Sequence, residues 1–399
     1  MPSVHDAVVI GGGPAGATAA CLLARAGWSV VVLERKVFPR RKVCGEYLSA
    51  TNLPLLEELG IGGEFRERAG PEVTHVGLFA GNVQTTAPLP RQLNNPSGWG
   101  RALGREHLDT LLLARAASAG ADVRQSRSVT HLTREGAAYL CEAKNQEGGA
   151  DSLRARIVIG AHGSWQTGDL PTQPLPRPPR AADLFGFKAH FRNSNLPSGL
   201  MPLLAFPGGY GGMVHCEGGR VSLSCCVRRD LLGCIREVPG REVGEKVLGY
   251  IIASCRGVQR ALDGAQRHGS WLAAGPIRPG IRLRSRSGIF PVGNAAGEAH
   301  PVVAEGISMA MQSAWLLVRR LIAWRAAGAA PEQLASVGAD YAAAWRRSFA
   351  PRVYASAALA QWAMRPVAVH GTLPLVRCFP RILTLGARLS GKTVRVVTK

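Results

Sequence analysis

A glycine-rich segment near the amino terminus carries the pattern G-x-G-x-x-G at Gly11, Gly13 and Gly16. The first glycine permits a tight turn, the second lets the backbone approach a pyrophosphate, and the third lets a helix pack closely on a strand. A helix N-terminus offers free N–H groups and a partial positive charge to phosphates, and Glu34, 18 positions after Gly16, can accept hydrogen bonds from a ribose diol. The pattern predicts a dinucleotide site but does not distinguish FAD from NAD.

The residues around this pattern predict the β-α-β unit that such a site needs. Residues 7–10 form a continuous apolar run, as in a strand covered on both faces, and residues 17–26 predict a helix. Residues 28–33 predict a second buried strand that ends in Glu34. The uncharged stretch 7–24 is not predicted to cross a membrane, because the Gly-Gly-Gly-Pro run in its middle would break a membrane helix.

A second turn of small residues occurs far along the chain. Residues 287–297 form a short apolar strand that runs into a turn containing Asn294, and Glu305-Gly306 precedes a helical pattern over residues 307–324. This segment resembles the second FAD fingerprint of the flavoprotein superfamily that contains p-hydroxybenzoate hydroxylase and geranylgeranyl reductase. The usual form of that fingerprint is G-D-A-A-x-x-x-x-P followed by G-x-G or E-G.

Three other segments resemble motifs of the same superfamily and occur in the family order. Residues 103–109 resemble its R-x-x-L-D segment, and residues 157–164 resemble its G-A-D-G strand end. Residues 41–49, which include Lys42, Cys44 and Glu46, resemble the K-x-C-G-E loop of the geranylgeranyl-reductase-like branch. The resemblance implies FAD as the cofactor. With only one dinucleotide fingerprint present, NAD(P)H is expected to act as a transient reductant without a Rossmann unit of its own.

The resemblance also implies an α/β flavoprotein of two domains. A discontinuous Rossmann-like FAD-binding domain is expected from residues 1–70, 101–170 and 280–325. A β-sheet substrate domain is expected from residues 71–100 and 171–279, and a basic helical region from residues 326–399.

Specific positions follow from the resemblance residue by residue. Asn294 is expected near the ribityl chain, the helix that starts at Gly306 and Ile307 beside the flavin pyrimidine ring, Arg105 near the ribityl and pyrophosphate groups, and Val129 near the adenine. The full set of expected cofactor-binding residues is Gly11, Gly13, Pro14, Ala15, Gly16, Glu34, Arg35, Cys44, Gly45, Arg105, Val129, Asn294, Gly297, Pro301, Gly306 and Ile307.

The sequence departs from the family pattern at three positions. His162 replaces the Asp of the G-A-D-G segment, and Asn294 replaces the Asp of the second fingerprint. Ala304 stands where the G-E-G form has its first glycine. Asn294 keeps hydrogen-bonding capacity but removes a negative charge, which should ease flavin reduction. The resemblance implies that this corner of the fold contacts both FAD and the nicotinamide, so the replacement by His162 leaves the mode of NAD(P)H binding open.

The middle of the chain predicts a second sheet. Residues 184–191 alternate as an edge or half-buried strand does, residues 201–206, 212–216 and 220–227 continue the strand pattern, and the glycines of 208–212 form the turn between two of them.

Four residues are candidates for the substrate pocket or for catalysis, each with a structural alternative. Phe206 and Tyr210 are candidate pocket residues, although aromatic residues on strands more often pack in the core. Cys44 and His300 are candidate catalytic residues, and packing for the first or a satisfied structural histidine for the second is the alternative.

Three functional hypotheses remain open. A monooxygenase would use NAD(P)H and oxygen to hydroxylate a hydrophobic phenolic or polyketide-like substrate, which the missing Trp-x-Phe-Pro element of prenyl reductases favours. A reductase would deliver hydride to C=C bonds of an isoprenoid or lipid, with Cys44 or water giving the proton. A noncatalytic flavin-fold binding module is the third. A halogenase is less favoured, because its W-x-W-x-I-P segment is absent.

Composition limits the partners. The 399 residues carry a net charge of +21, and no acidic residue follows Asp340, although ten Lys or Arg do. This basic, apolar tail suits an acidic membrane surface or is a solvated helical tail, and no nucleic-acid-binding signature is present. The nine cysteines form neither a disulfide framework nor a zinc pattern, and no metal site is expected. Without a secretory signal pattern, we expect a cytoplasmic protein, with membrane association as an option and its oligomeric state open.

Overall fold

The computed structural model describes residues 4–90, 98–145, 148–163, 168–237, 242–285 and 288–392. The helices are α1 Pro14–Arg25, α2 Leu53–Leu59, α3 Gly62–Arg68, α4 Arg105–Ser118, α5 Arg229–Glu237, α6 Val243–Ser254, α7 Arg256–Ala261, α8 Gly306–Ala326, α9 Leu334–Ala363, α10 Pro366–Cys378 and α11 Arg381–Ala387. The strands are β1 Val4–Ile10, β2 Val30–Glu34, β3 Tyr47–Leu48, β4 His75–Ala80, β5 Val83–Pro88, β6 Arg101–Ala102, β7 Asp122–Gln125, β8 Ser128–Glu135, β9 Ala138–Lys144, β10 Ala150–Gly160, β11 Leu184–Arg192, β12 Leu200–Phe206, β13 Gly209–His215, β14 Val221–Arg228, β15 Gln266–Ile277, β16 Gly280–Ile281, β17 Ile289–Pro291 and β18 Gly297–Glu298.

The first large sheet contains the predicted β-α-β unit. Its order is β7-β2-β1-β10-β9-β8, and β17 pairs with the carboxyl end of β10. Strands β7, β2, β1, β10 and β17 run parallel, whereas β8 and β9 are antiparallel additions. Widely separated parts of the chain therefore build one sheet, which confirms the predicted α/β class.

The apolar run of β1 is buried on both of its faces. Ala7 and Val9 pack in the core beneath α1, α4 and α8, whereas Val8 and Ile10 pack on the opposite side with residues of β8 and β9. A strand in this position needs apolar side chains at consecutive residues, which explains why β1 shows no alternation. The carboxyl end of β1 is thereby fixed beneath the glycine turn.

The second large sheet has the order β15-β11-β14-β13-β12-β4-β5. All neighbouring pairs are antiparallel except β12 and β4. The prediction of an edge or half-buried strand at 184–191 is wrong, because β11 lies between β14 and β15 and is almost entirely buried. The polar residues Lys188 and His190, which gave the sequence its alternation, are themselves fully buried.

The predicted glycine turn at 208–212 is shorter than expected. Strand β12 ends at Phe206 and β13 begins at Gly209, so that Pro207 and Gly208 alone form the loop. Gly208 has φ +70°, a conformation that favours glycine. The glycines 209–212 belong to β13, where side chains would meet neighbouring groups: a Cβ on Gly211 would lie 2.7 Å from the Ser224 carbonyl oxygen.

The C-terminal helices pack on the second sheet. Within the predicted helical region, residues 334–363 form the single helix α9, which continues through Pro351. Pro374 likewise lies inside α10, whereas Pro366 stands at its start. Residues of α9 and α10 share a core with β4, β12, β13 and β14. Within the described ranges, no helix has both the length and the apolar character needed to span a bilayer.

Candidate active site

A cavity of about 930 Å³ lies among both sheets, the start of α8 and the C-terminal helices. Two chemically different groups of residues form its wall. The cationic side contains the glycine turn and the basic residues Arg40, Arg41, Lys42 and Arg105. The apolar side contains Leu203, Tyr210, Cys226, Leu359, Trp362, Leu375, Val376 and Leu383. The cavity can therefore hold a molecule with an anionic part beside an apolar one.

The glycine turn leaves space where a pyrophosphate would need it. A Cβ on Gly11 would lie 2.6 Å from the Ala161 carbonyl oxygen, and one on Gly16 would lie 1.8 Å from the Gly11 carbonyl oxygen. These two glycines allow close backbone packing behind the cavity. Gly13 differs, because the nearest atoms to an added Cβ there would be the guanidinium nitrogens of Arg40 and Arg105, at 3.6 and 3.9 Å. The N-terminus of α1 therefore faces the cationic side.

The Glu34 carboxylate braces this turn. Its Oε2 accepts a hydrogen bond of 2.8 Å from the Gly12 N–H, and its Oε1 accepts one of 2.9 Å from the Lys36 N–H. Glu34 lies at the end of β2, is buried, and lines the cavity. Each carboxylate oxygen has a second lone pair, so the side chain can accept further hydrogen bonds from a diol.

Positive charge exceeds negative charge on the cationic side. Arg105 forms a bidentate pair with the buried Asp109, with distances of 2.6 and 2.7 Å, and Arg40 Nη2 lies 3.5 Å from the same carboxylate. Burial, together with the charges of Arg105 and Arg40, lowers the pKa of Lys42 to about 8. Four cationic side chains therefore line this side near two carboxylates, those of Asp109 and Glu34, which favours an anion in the cavity.

The second small-residue turn meets the first one directly. A Cβ on Gly293 would lie 2.9 Å from the Ala15 Cβ, and the Gly293 N–H donates a 2.7 Å hydrogen bond to Ser313 Oγ on α8. Asn294 Nδ2 donates a 2.9 Å hydrogen bond to Glu298 Oε1 and lines the cavity. Two segments almost 280 residues apart therefore form one wall.

The departures at His162 and Ala304 have structural explanations. Nδ1 of His162 lies 2.9 Å from the Gly163 carbonyl oxygen, and Nε2 lies 2.9 Å from Thr172 Oγ1. Burial lowers the pKa of His162 to about 4, so the ring is neutral and accepts from Thr172 while donating to Gly163. Ala304 has φ +53°, the left-handed region in which a glycine is usual.

The loop that carries Cys44 is anchored to the second sheet through Glu46. The Glu46 carboxylate pairs with the Lys188 ammonium, lies 2.8 Å from His190 Nε2, and accepts a hydrogen bond from the Arg105 N–H. Burial alone raises the pKa of Glu46, but the His190 hydrogen bond and the Lys188 charge outweigh burial and lower that pKa well below its usual range. Glu46 is fully buried and has φ +62°, so this network holds an unusual backbone conformation.

The same carboxylate belongs to a group that resembles a metal site. Ligand atoms of Glu46, His190 and Cys216 lie within 4.8 Å of one another. The Lys188 ammonium already neutralises the Glu46 carboxylate, and a metal cation would be repelled by it. This arrangement favours an internal ion pair over a metal ligand set.

The apolar side contains one buried polar pair. Tyr210 Oη lies 3.2 Å from His300 Nδ1, and the Tyr210 side chain lines the cavity whereas the His300 side chain does not. Burial raises the pKa of Tyr210 well above its usual value and lowers that of His300 to about 4. Both groups are therefore neutral near pH 7, and Tyr210 can exchange hydrogen bonds with a ligand.

Comparison with known families indicates which anionic molecule the cationic side of the cavity binds. A family model described as the FAD binding domain matches residues 5–176. Residues 5–176 therefore form an FAD-binding domain, and the similar proteins include FAD-dependent reductases and monooxygenases. Its cofactor is FAD.

Relatives of this flavoprotein differ in their named activities. It is 27% identical over 341 residues to conditioned medium factor receptor 1 of Dictyostelium discoideum, covering 80% of this chain and 64% of the receptor. It is 36% identical over 116 residues to the menaquinone reductase of Mycobacterium tuberculosis, covering 29% of this chain and 28% of the reductase. It is 29% identical over 164 residues to the rifampicin monooxygenase of Streptomyces venezuelae, covering 41% of this chain and 33% of the monooxygenase. Each alignment spans less than two thirds of the relative's length.

Solved structures share the fold of the flavoprotein. The myxobacterial chondrochloren halogenase superposes with a TM-score of 0.78 at 24% identity, covering 97% of this chain and 91% of the halogenase. The two-domain architecture is therefore common to the two proteins.

The residues present fit an FAD. Arg40 Nε and Arg41 Nη2 are buried without a hydrogen-bond partner among the described residues, and both side chains line the cavity. Buried guanidinium nitrogens need acceptors, which pyrophosphate oxygens would supply. The same cofactor would also contact the open space beside Gly13, the N–H groups at the N-terminus of α1 and the Glu34 carboxylate.

Most of the predicted cofactor residues line this cavity. Those on the wall are Gly11, Gly13, Pro14, Ala15, Glu34, Arg35, Cys44, Gly45, Arg105, Val129, Asn294, Pro301, Gly306 and Ile307. Gly16 and Gly297 lie behind the wall, and a Cβ on Gly297 would lie 2.4 Å from the Trp345 ring. Phe206 is also absent from the wall, because its ring packs in the core against Tyr250.

Sequence reasoning missed two parts of the site. Arg40 and Lys42 were not singled out as binding residues, although the basic run 40–42 beside the Cys44 loop was a signal for them. The contribution of α10 and α11 to the apolar side was also missed. Its signal was the apolar spacing of Leu375, Val376 and Leu383, which the neighbouring prolines obscured.

Proposed function

We propose that this FAD-dependent oxidoreductase is an NAD(P)H-using monooxygenase that hydroxylates a hydrophobic phenolic or polyketide-like substrate. The observation that carries the proposal is the continuity of the cavity. The cationic side, which fits the cofactor, opens without interruption onto a large apolar side. An apolar substrate placed there would lie against the cofactor and away from water.

Bound flavin supplies the electron transfer and oxygen activation that protein side chains cannot perform. The residues of the chain contribute binding, orientation and exclusion of water. The α1 N-terminus and the cations beside Gly13 hold the phosphates, and the N-terminus of α8 at Gly306 faces the cavity with its partial positive charge. Buried apolar residues such as Cys226 and Val376 limit the access of water to this part of the apolar side.

Tyr210 is the polar group best placed to orient the substrate. The residue is buried and lines the apolar side, and its hydroxyl lies 3.2 Å from His300 Nδ1. Because both groups are neutral near pH 7, the pair can hydrogen-bond to a phenol or ketone oxygen without placing a charge in the apolar side. The residue therefore serves to position the substrate.

Reduction of C=C bonds in an isoprenoid or lipid is the second candidate. Cys44 favours it, because its thiol lies on the wall next to the Arg105 guanidinium, where a proton donor for a reduced carbon could stand. The similarity to a menaquinone reductase over 116 residues agrees with this alternative. The noncatalytic module is less favoured, since the match to the FAD binding domain and the similarity to a reductase and a monooxygenase support an oxidoreductase.

Turnover under labelled oxygen separates these reactions. The purified holoprotein would be given NADPH or NADH with phenolic, polyketide and polyprenyl candidates under ¹⁸O₂, with chloride and bromide present. We expect substrate-stimulated NAD(P)H oxidation and a product that has gained one ¹⁸O atom. Anaerobic gain of two hydrogens would replace the proposal by the reductase, and gain of a halogen atom would replace it by halogenation.

A further inference from the structure

The outer face of the C-terminal helices is unusually apolar. Among the exposed large hydrophobic residues of the described chain, most belong to the segment 366–389, namely Val367, Leu375, Phe379, Ile382, Leu385 and Leu389. Phe379 and Leu389 remain 61% and 65% exposed. These residues are close enough in the chain to form a patch over two short helices, which single scattered hydrophobic residues do not do.

The same face is basic. Arg365, Arg377, Arg381 and Arg388 are exposed between or beside these apolar residues. No acidic residue follows Asp340 in the sequence, so no carboxylate of this segment can neutralise them. Long arginine side chains can keep their charge at the level of lipid head groups while neighbouring apolar side chains enter the acyl region.

This face also lies beside the cavity. Leu375 and Ile382 line the cavity and are nevertheless 53% and 36% exposed. Their neighbours Val376 and Ala387 line the cavity and are buried. The wall of the cavity therefore continues along α10 and α11, directly beside the exposed apolar and basic residues of the same helices.

We propose that the face formed by residues 365–389 docks on an anionic lipid bilayer, and that the substrate enters the cavity from the bilayer between α10 and α11. A bilayer fits the combination of an apolar patch with interspersed positive charge, whereas a dedicated protein partner would need acidic groups matched to four separate arginines. Docking depends only on the exposed apolar and basic residues of 365–389. The entry route rests on the proposed function and narrows the substrate to a lipid-soluble molecule.

Vesicle flotation with the full-length holoprotein tests the docking. The protein would be mixed with vesicles of phosphatidylcholine alone or of phosphatidylcholine with phosphatidylglycerol. We expect flotation with the anionic vesicles, little with the neutral ones, and reversal at high salt. We expect a roughly tenfold or larger loss of apparent vesicle affinity in each of two kinds of variant. One kind places a carboxylate in the apolar patch, as in Phe379→Asp and Leu389→Asp, and the other reverses two charges together, as in Arg377→Glu with Arg381→Glu.

Matched substitutions elsewhere provide the controls. Leu175→Asp changes a leucine that is 62% exposed outside this face, and Arg236→Glu with Arg260→Glu reverses two exposed charges on other helices. Both controls should float as the unaltered protein does, and flavin absorbance should report the same loading in every variant.

Three outcomes would overturn the docking inference. They are a flavin-loaded protein that ignores anionic vesicles, surface variants that float normally, or a dimer in solution that Phe379→Asp dissociates. The last result would assign the face to a second copy of the chain. None of these readouts uses turnover, so failure of the proposed reaction would leave the docking result standing.

Discussion

The imidazole Nε2 of His190 lies 2.8 Å from the Glu46 Oε2, which joins the cofactor loop to the middle of the second sheet. The Lys188 ammonium pairs with the same Glu46 carboxylate. Lys188 lies two residues before His190 on β11, and both residues are buried. Since the loop also carries Cys44, and Glu46 accepts a hydrogen bond from the Arg105 N–H at the start of α4, the group ties both the loop and α4 to the second sheet beside the cavity. Its integrity should control both stability and cofactor retention.

Removing the Glu46 carboxylate should destabilise the protein strongly. Glu46→Ala leaves the Lys188 ammonium buried without its partner, which costs about 3–5 kcal/mol in the free energy of unfolding. Glu46→Gln with Lys188→Met removes both charges and should recover much of that loss. Urea unfolding followed by circular dichroism measures the cycle. A loss in the double variant equal to the sum of the losses in Glu46→Gln and Lys188→Met would show that the pair is not coupled.

Low pH should lower the free energy of unfolding, partly because the Glu46 carboxylate becomes protonated. Because the pKa of Glu46 is lower in the folded state than in the unfolded state, its contribution is fully present above the usual carboxyl pKa of 4.5 and is lost as the pH falls below that value. Glu46→Gln cannot show this loss. The free energy of unfolding should therefore fall less between neutral and acidic pH in the variant than in the unaltered protein, and parallel curves would contradict the assignment.

Lys42 should make flavin affinity depend on pH. Its pKa of about 8 without an anion means that the ammonium loses its proton as the pH rises through that value. A bound diphosphate favours the protonated form, so FAD affinity should fall between about pH 7 and about pH 9. Quenching of FAD fluorescence measures this. Lys42→Met should bind more weakly at neutral pH and show a flatter profile, and an unchanged slope would exclude Lys42 as the titrating group.

Gly13→Asp should abolish flavin retention. The substituted carboxylate would point into the space beside Arg40 and Arg105 and repel phosphate. Absorbance of the purified protein near the flavin bands reports loading. Gly63→Asp is the control, because Gly63 is exposed and no atom lies within 4 Å of an added Cβ. A yellow, fully loaded Gly13→Asp protein would refute the placement of the pyrophosphate.

Tyr210→Phe should impair substrate orientation without affecting the cofactor. The change removes a hydroxyl on the apolar side and leaves His300 without that partner. The loss of one hydrogen bond, about 0.5–1.5 kcal/mol, should raise KM by roughly two- to tenfold and broaden the product distribution. Steady-state kinetics and product analysis measure both effects, with flavin content as the control. Unchanged products and KM would place the substrate elsewhere.

The cofactor-binding half of the site was predictable because its signals are local. Gly11, Gly13 and Gly16 are required by backbone geometry within one turn, and Glu34 follows at the distance of one helix and one strand. The second sheet was harder to predict. Lys188 and His190 suggested a solvent-facing side for β11, since polar residues on strands usually face water. Their burial depends on Glu46, which approaches from a loop more than 140 positions earlier.

By itself, the sequence determined the class of the protein and its cofactor, because close backbone approach to a pyrophosphate restricts residue types at fixed short spacings. The tertiary structure alone decided which side chains share the cavity. In the folded protein Gly293 packs against Ala15, and His300 contacts Tyr210. Phe206 packs in the core, and residues of α10 and α11 line the apolar side. Such contacts depend on how sheets and helices pack over long chain separations, and no spacing pattern in the sequence encodes them.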